Sequence, residues 1–140
     1  MQATAVVNTL DLSHEQWLEA RQRGIGGSDA AAIAGLNPWK SPMGVYLDKI
    51  GQAEPIEDNE RMRIGRDLED YVAKRFEEES GLKVRRRNAI LQHKDYDFIL
   101  ANVDRLVVGE RTGLECKTTN SYARKAWEGD DIPPHYELQC

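Results

Sequence analysis

The sequence predicts an α/β fold in which a mixed β-sheet is flanked by helices. Three observations carry this. Helix caps and helical apolar spacing fill the chain up to residue 80. Short runs rich in β-branched and aromatic residues follow, from residue 82 to 118. No repeat, low-complexity tract or linker interrupts the 140 residues, which fit a single domain over 1–140 with a modest core.

Residues 1–12 show no period and are expected to form a flexible arm. Ser13 followed by Gln16 is a capping-box pattern, opening a helix through about Arg23 with Trp17 and Leu18 on its inner side. Gly24-Ile25-Gly26-Gly27 breaks it, and Ser28 or Asp29 is expected to cap a short Ala-rich helix ended by Gly35. Ser41-Pro42 reads as cap and first turn of a helix through Ile50, stopped by Gly51. From Asp58 to Ser80 the period is helical, with Ile64, Leu68, Val72 and Phe76 four apart, Tyr71 beside them and Gly81 as the stop. Strands are expected in LKVRRR, NAILQH, DFILAN, VDRLVV and GLECKT, with turns at KDYD and GERTG. SYARKAW and HYELQC read as helical.

The net charge is −5, which argues against nonspecific coating of nucleic acid but not against a local phosphate track. KVRRR (83–87) fits such a track or a solvated strand edge equally. No apolar run approaches membrane-spanning length, and the start MQATAVVNTLDLSHEQ lacks the regions of an export signal. Cys116 and Cys140 make no disulfide framework, so a reducing cytoplasm is expected.

The most informative stretch is Asp104 followed by Glu115-Cys116-Lys117, with LVVGERTG between. A hairpin closing over Gly109–Gly113 would bring Asp104 within a residue or so of Lys117, roughly 5 Å across the ladder. Strand alternation puts Glu115 and Lys117 on one face, with Leu114 and Cys116 on the other. Two hard oxygen ligands beside an ammonium suit Mg²⁺ or Mn²⁺ and a metal-activated water attacking a phosphodiester. The same residues also fit a surface hairpin with a cross-strand ion pair. Glu69, one position after Leu68, stands near the inner boundary of the long helix, where a lone carboxylate is costly. By itself it reads as part of an exposed acidic helix face.

RQRGIGGSDAAAI places glycines at 24, 26 and 27 and Ser28 at a helix start. Backbone N–H groups there can hold a phosphate, and Arg21 and Arg23 upstream favour that. The segment also fits a tight turn needing positive φ. It is neither a dinucleotide fingerprint nor a Walker A loop.

Taken in order, the blocks GIGGSDAAAI, IGRDLEDYVAKRF, ANVDRL, LECKT and PPHYELQ resemble the YqaJ-like viral recombinase family, relatives of lambda exonuclease with a restriction-endonuclease-like PD-(D/E)-x-K core. The resemblance runs from Trp17 to Gln139. It implies Glu69, Asp104, Glu115 and the Cys116 carbonyl as ligands of two Mg²⁺ ions, with Mn²⁺ as an alternative. It implies Lys117 as the water-orienting residue and Gln139 as its helper. Arg21 and Ser28 would bind the 5′-phosphate of a DNA end. The implied activity is 5′-to-3′ degradation of linear double-stranded DNA in phage-type recombination, in a bacterial cytoplasm. A single-strand annealing protein and a ring-like trimer are the implied partners. A structure-specific endonuclease and a non-catalytic DNA-end-binding module are the alternatives. The pattern departs from the family at Val103, where proline is common. Members usually continue as a Gln-x-Gln helix, so the C-terminal part of the domain is expected to be missing after Cys140.

Overall fold

The computed structural model describes residues 3–129 and 131–140. It is a mixed α/β structure with two compact units that interleave along the chain. The first takes the described residues of Met1–Glu54, Asn88–Asn102 and Ala126–Cys140; the second takes Pro55–Arg87 and Val103–Lys125. The sequence shows no linker because each unit is assembled from separated segments.

The first unit begins with β1 (Ala3–Asn8), so part of the arm expected over 1–12 is a strand. Helix α1 (His14–Gln22) opens with the expected capping box: Ser13 Oγ accepts the Gln16 N–H at 3.2 Å, and Gln16 Oε1 accepts the Ser13 N–H at 2.9 Å. Helix α2 (Gly27–Ile33) has Gly26 as its N-cap rather than Ser28 or Asp29. Asp29, one turn in, accepts the Gly26 N–H at 3.0 Å instead. Helix α3 (Pro42–Lys49) starts as expected, with Ser41 Oγ accepting the Gly44 N–H at 3.0 Å.

The second unit holds α4 (Glu60–Ser80), capped by Asn59 and closed by Gly81 at φ 73°. Its inner face is not the expected stripe. Ile64 and Leu68 are 44% and 40% exposed, whereas Ala73 is buried and Gly65, Glu69, Val72 and Phe76 are half-buried. That face puts Glu69 inward, one turn from Gly65 and from Ala73.

The strands β2 (Val84–Arg86), β3 (Ala89–His93), β4 (Leu100–Ala101), β5 (Arg105–Val107) and β6 (Gly113–Leu114) are shorter than expected. The expected mixed sheet is divided into two three-stranded antiparallel sheets, β1-β3-β4 in the first unit and β2-β5-β6 in the second. Among the described residues the one parallel pairing is the bridge Ile25–Ile99. Ala20, Ile90 and Leu100 form a core cluster in the first unit, with Val7 against it. SYARKAW is a 3-10 helix over Ser121–Trp127, and the last helix, α5, is only Pro134–Glu137. Among the described residues no helix is long and apolar enough to cross a membrane.

Candidate active site

The β5–β6 hairpin carries the expected acidic pair, in a different register. Arg105 faces Leu114 and Leu106 faces Gly113, which sets Asp104 across from Glu115 rather than Lys117. The ladder ends at Leu114, so Glu115-Cys116-Lys117 leave the strand instead of continuing it. All three are half-buried, so Cys116 is not more sequestered than its neighbours. Side-chain bonds take over where the ladder stops. Asp104 Oδ2 accepts the Cys116 N–H at 2.7 Å, and Lys117 Nζ donates to Glu115 Oε1 at 2.7 Å.

Burial pushes the Asp104 carboxyl above the usual carboxylate range; the Cys116 N–H opposes this, and the charge of Glu115 adds to it. Burial likewise pushes the Cys116 thiol up to about 11, helped by Asp104. A thiol held neutral is a poor metal ligand. The backbone carbonyl of Cys116 remains the group there suited to a hard cation.

Glu69 reaches this hairpin through a residue the sequence reading missed. Arg105, 4% exposed, pairs through Nη1 with Glu69 Oε1 and donates to the Asp104 carbonyl at 2.7 Å. Its Nη2 donates to Asp70 Oδ1 at 2.5 Å. Asp70 also holds Arg86 at 2.6 Å, and Lys83 pairs with Glu77 at 3.5 Å, so two residues of KVRRR are tied to the protein rather than left to a partner. Arg105 has no signal in the sequence beyond its position after Asp104, because its burial depends on a helix 35 residues away.

The donor set fits a hard divalent cation. Asp104 and Glu115 are neighbouring carboxylates whose like charge a cation would relieve. Among the described residues no three His, Cys, Asp or Glu side chains are grouped to hold an ion by themselves. Mg²⁺ needs only one or two carboxylates, since water and substrate oxygens complete its shell.

The first unit brings together the other expected pair. Arg21 Nη2 donates to Ser28 Oγ at 2.7 Å, and the guanidinium lies 4.6 Å from the centre of the Trp17 ring. Asp29, 2% exposed, anchors this turn: it pairs with Lys49 at 2.8 Å and Lys40 at 3.7 Å. Lys49 Nζ also donates to the Arg21 carbonyl at 3.1 Å. Burial alone would raise the Asp29 carboxyl, but the Lys49 and Gly26 hydrogen bonds and the charges of Lys49 and Arg21 hold it below the usual range. Sequence reading weighed Asp29 only as a cap and did not single out Lys49 or Lys40.

The glycines of GIGGSD do not have positive φ. Gly24 and Gly27 are required by close approach: a Cβ at Gly24 would meet the Phe98 carbonyl, and one at Gly27 the Gln139 carbonyl. Gln139 thus packs beside Ser28's helix, within the first unit.

The chain is similar to known proteins in fold and in sequence. The chain has the fold of alkaline exonuclease. One solved relative in fold is the alkaline exonuclease LHK-Exo from Laribacter hongkongensis, at TM-score 0.70 and 22% identity, covering 89% of this chain and 64% of that one. LHK-Exo in complex with dAMP matches at TM-score 0.71 and 22% identity, with the same coverage. The chain belongs to the YqaJ-like viral recombinase domain family, whose model matches residues 16–140. The protein YqaJ of Bacillus subtilis (strain 168) is 51% identical over 138 residues, or 98% of this chain and 43% of that protein. The chain therefore spans less than half the length of that relative.

Proposed function

We propose that the chain is the nuclease part of a Mg²⁺-dependent deoxyribonuclease that degrades linear double-stranded DNA from 5′ ends during phage-type recombination. The observation that carries this is the hairpin end, where Asp104 is held by the Cys116 N–H beside the Glu115–Lys117 pair. Membership of a viral recombinase family and the fold shared with an alkaline exonuclease support the same reading.

In this reading Glu69, Asp104, Glu115 and the Cys116 carbonyl hold the metal, as two Mg²⁺ ions, with Mn²⁺ able to substitute. When bound, the metal acidifies a water and neutralises charge building on the scissile phosphate. Lys117 orients the attacking water, and its pairing with Glu115 keeps the ammonium next to a ligand. Gln139 helps hold the nucleophile or phosphate. Arg21 and Ser28, already bonded to each other, form a two-donor grip for the 5′-phosphate. A single-strand annealing protein is the partner that would use the 3′ strand left behind. Assembly as a ring of three copies, in the cytoplasm of a bacterial host, completes the reading.

The test uses 5′-phosphorylated linear duplex and closed circular duplex with Mg²⁺. Wild type should consume only the linear DNA, Glu115→Ala should consume neither, and Arg21→Ala should lose most activity on phosphorylated ends. Cutting of circles makes the chain an endonuclease. Retained binding with no metal-dependent cutting makes it a DNA-end-binding module.

A further inference from the structure

We propose that Arg105 is the positioning residue that aims Glu69 at the carboxylate pair of Asp104 and Glu115. The inference rests on the metal-site reading above. A buried guanidinium is stable only when its charge is paired and hydrogen-bonded. Arg105 meets that condition with three contacts: Glu69, Asp70 and the Asp104 carbonyl. Two lie on one helix and the third just before its own strand, so one rigid planar group ties α4 to the start of β5.

The consequence falls on Glu69. Its Oε1 is taken by Arg105, and among the described residues no hydrogen bond reaches Oε2. Carboxylates that ligate metals are commonly fixed in this way, with one oxygen held and the other offered. A lysine could supply the charge but not the fork that reaches two helix carboxylates and a strand carbonyl together.

The experiment titrates Mn²⁺ into the whole chain and reads the free ion by electron paramagnetic resonance, with circular dichroism to verify the fold. Wild type should bind, and Glu115→Ala should bind at least about tenfold more weakly. Arg105→Lys and Glu69→Gln should each weaken binding about tenfold. The Arg105→Lys/Glu69→Gln double variant should bind no more weakly than Arg105→Lys alone. A merely structural arginine would leave Mn²⁺ affinity unchanged in Arg105→Lys, or let the two substitutions add in full; either result overturns the proposal. Asp70→Asn covers the case in which Arg105→Lys does not fold. The exposed Asp70→Asn amide oxygen can still accept the Arg105 N–H, so the fold is kept while one charge fixing the guanidinium is lost, and Mn²⁺ binding should weaken about threefold; unchanged affinity overturns the proposal. If wild type does not bind, or Glu115→Ala binds equally, the metal-site reading itself falls and the inference with it.

Discussion

Asp104 accepts the backbone N–H of Cys116 at 2.7 Å, so the first acidic residue of the hairpin also fixes the backbone of the second. Charge and hydrogen bonding can therefore be separated at this position. In Asp104→Asn the amide oxygen can still accept the Cys116 N–H, but the negative charge is gone. Asp104→Ala loses both, leaving a half-buried N–H without its acceptor. Asp104→Asn should melt close to wild type, and Asp104→Ala should lose about 1–2 kcal/mol. Neither should bind Mg²⁺. Thermal melts with and without Mg²⁺ check this; a protective shift of Asp104→Asn by Mg²⁺ would contradict it.

Asp29 gives a pH dependence whose sign is fixed. Its folded carboxyl lies below the usual range because Lys49, Gly26 and Arg21 outweigh its burial. The folded state thus binds that proton less readily than the unfolded chain, whose value is about 3.9. The stability it contributes is present above that value and is lost as pH falls through the lower folded value. Asp29→Asn should cost about 3 kcal/mol at pH 7 by leaving Lys49 without its buried partner. Denaturant melts at falling pH should show the gap between the two proteins closing below about pH 4. A gap that stays constant to pH 2 (about two units below the unfolded value) would show that Asp29 acts by packing alone.

The two cysteines should differ in reactivity. Cys140 is exposed, while the Cys116 thiol is held up to about 11 by burial and Asp104. Alkylation at pH 8, read by peptide mass spectrometry, should modify Cys140 well before Cys116. Equal labelling would mean that burial and Asp104 do not hold the Cys116 thiol up as described.

Gly27 should tolerate no side chain. A Cβ there collides with the Gln139 carbonyl, a backbone atom that cannot simply rotate away. Gly27→Ala should cost about 1–3 kcal/mol and loosen the C-terminal segment, measured by melting and by hydrogen exchange at residues 134–140. Gly35→Ala has open space around it, so its cost should come from backbone strain alone, about 1 kcal/mol at φ 73°. Equal exchange in Gly27→Ala and wild type would remove the argument from close approach.

Local signals were legible in the sequence and tertiary ones were not. The caps at Ser13 and Ser41 and the stops at Gly35, Gly51 and Gly81 are encoded within a few residues, and they stand where expected. Strand β1 was not legible. Nearly all its side chains are exposed, so it shows no alternation, and its pairing partner is β3, far along the chain. The stripe Ile64–Leu68 was misleading because spacing alone does not say which side of a helix meets the rest of its unit. The hairpin was found from turn residues, but its register was set two residues away, where Asp104 bonds to Cys116. Arg105 carried no signal of its own because the two carboxylates that bury it are 35 and 36 residues upstream. Arg21 and Ser28 were legible as one phosphate-holding segment, but their direct bond was not, and the turn at Gly26 is what brings them within 2.7 Å.

The central claim is that the hairpin carboxylates make this chain a metal-dependent DNA-degrading enzyme. The most direct measurement is release of acid-soluble nucleotides from 5′-phosphorylated linear duplex in Mg²⁺, comparing wild type with folded Asp104→Asn. Wild type should release nucleotides in Mg²⁺ and none in EDTA, and Asp104→Asn should fall by about a hundredfold or more. Equal release by the two proteins, or release by wild type in EDTA, would contradict it.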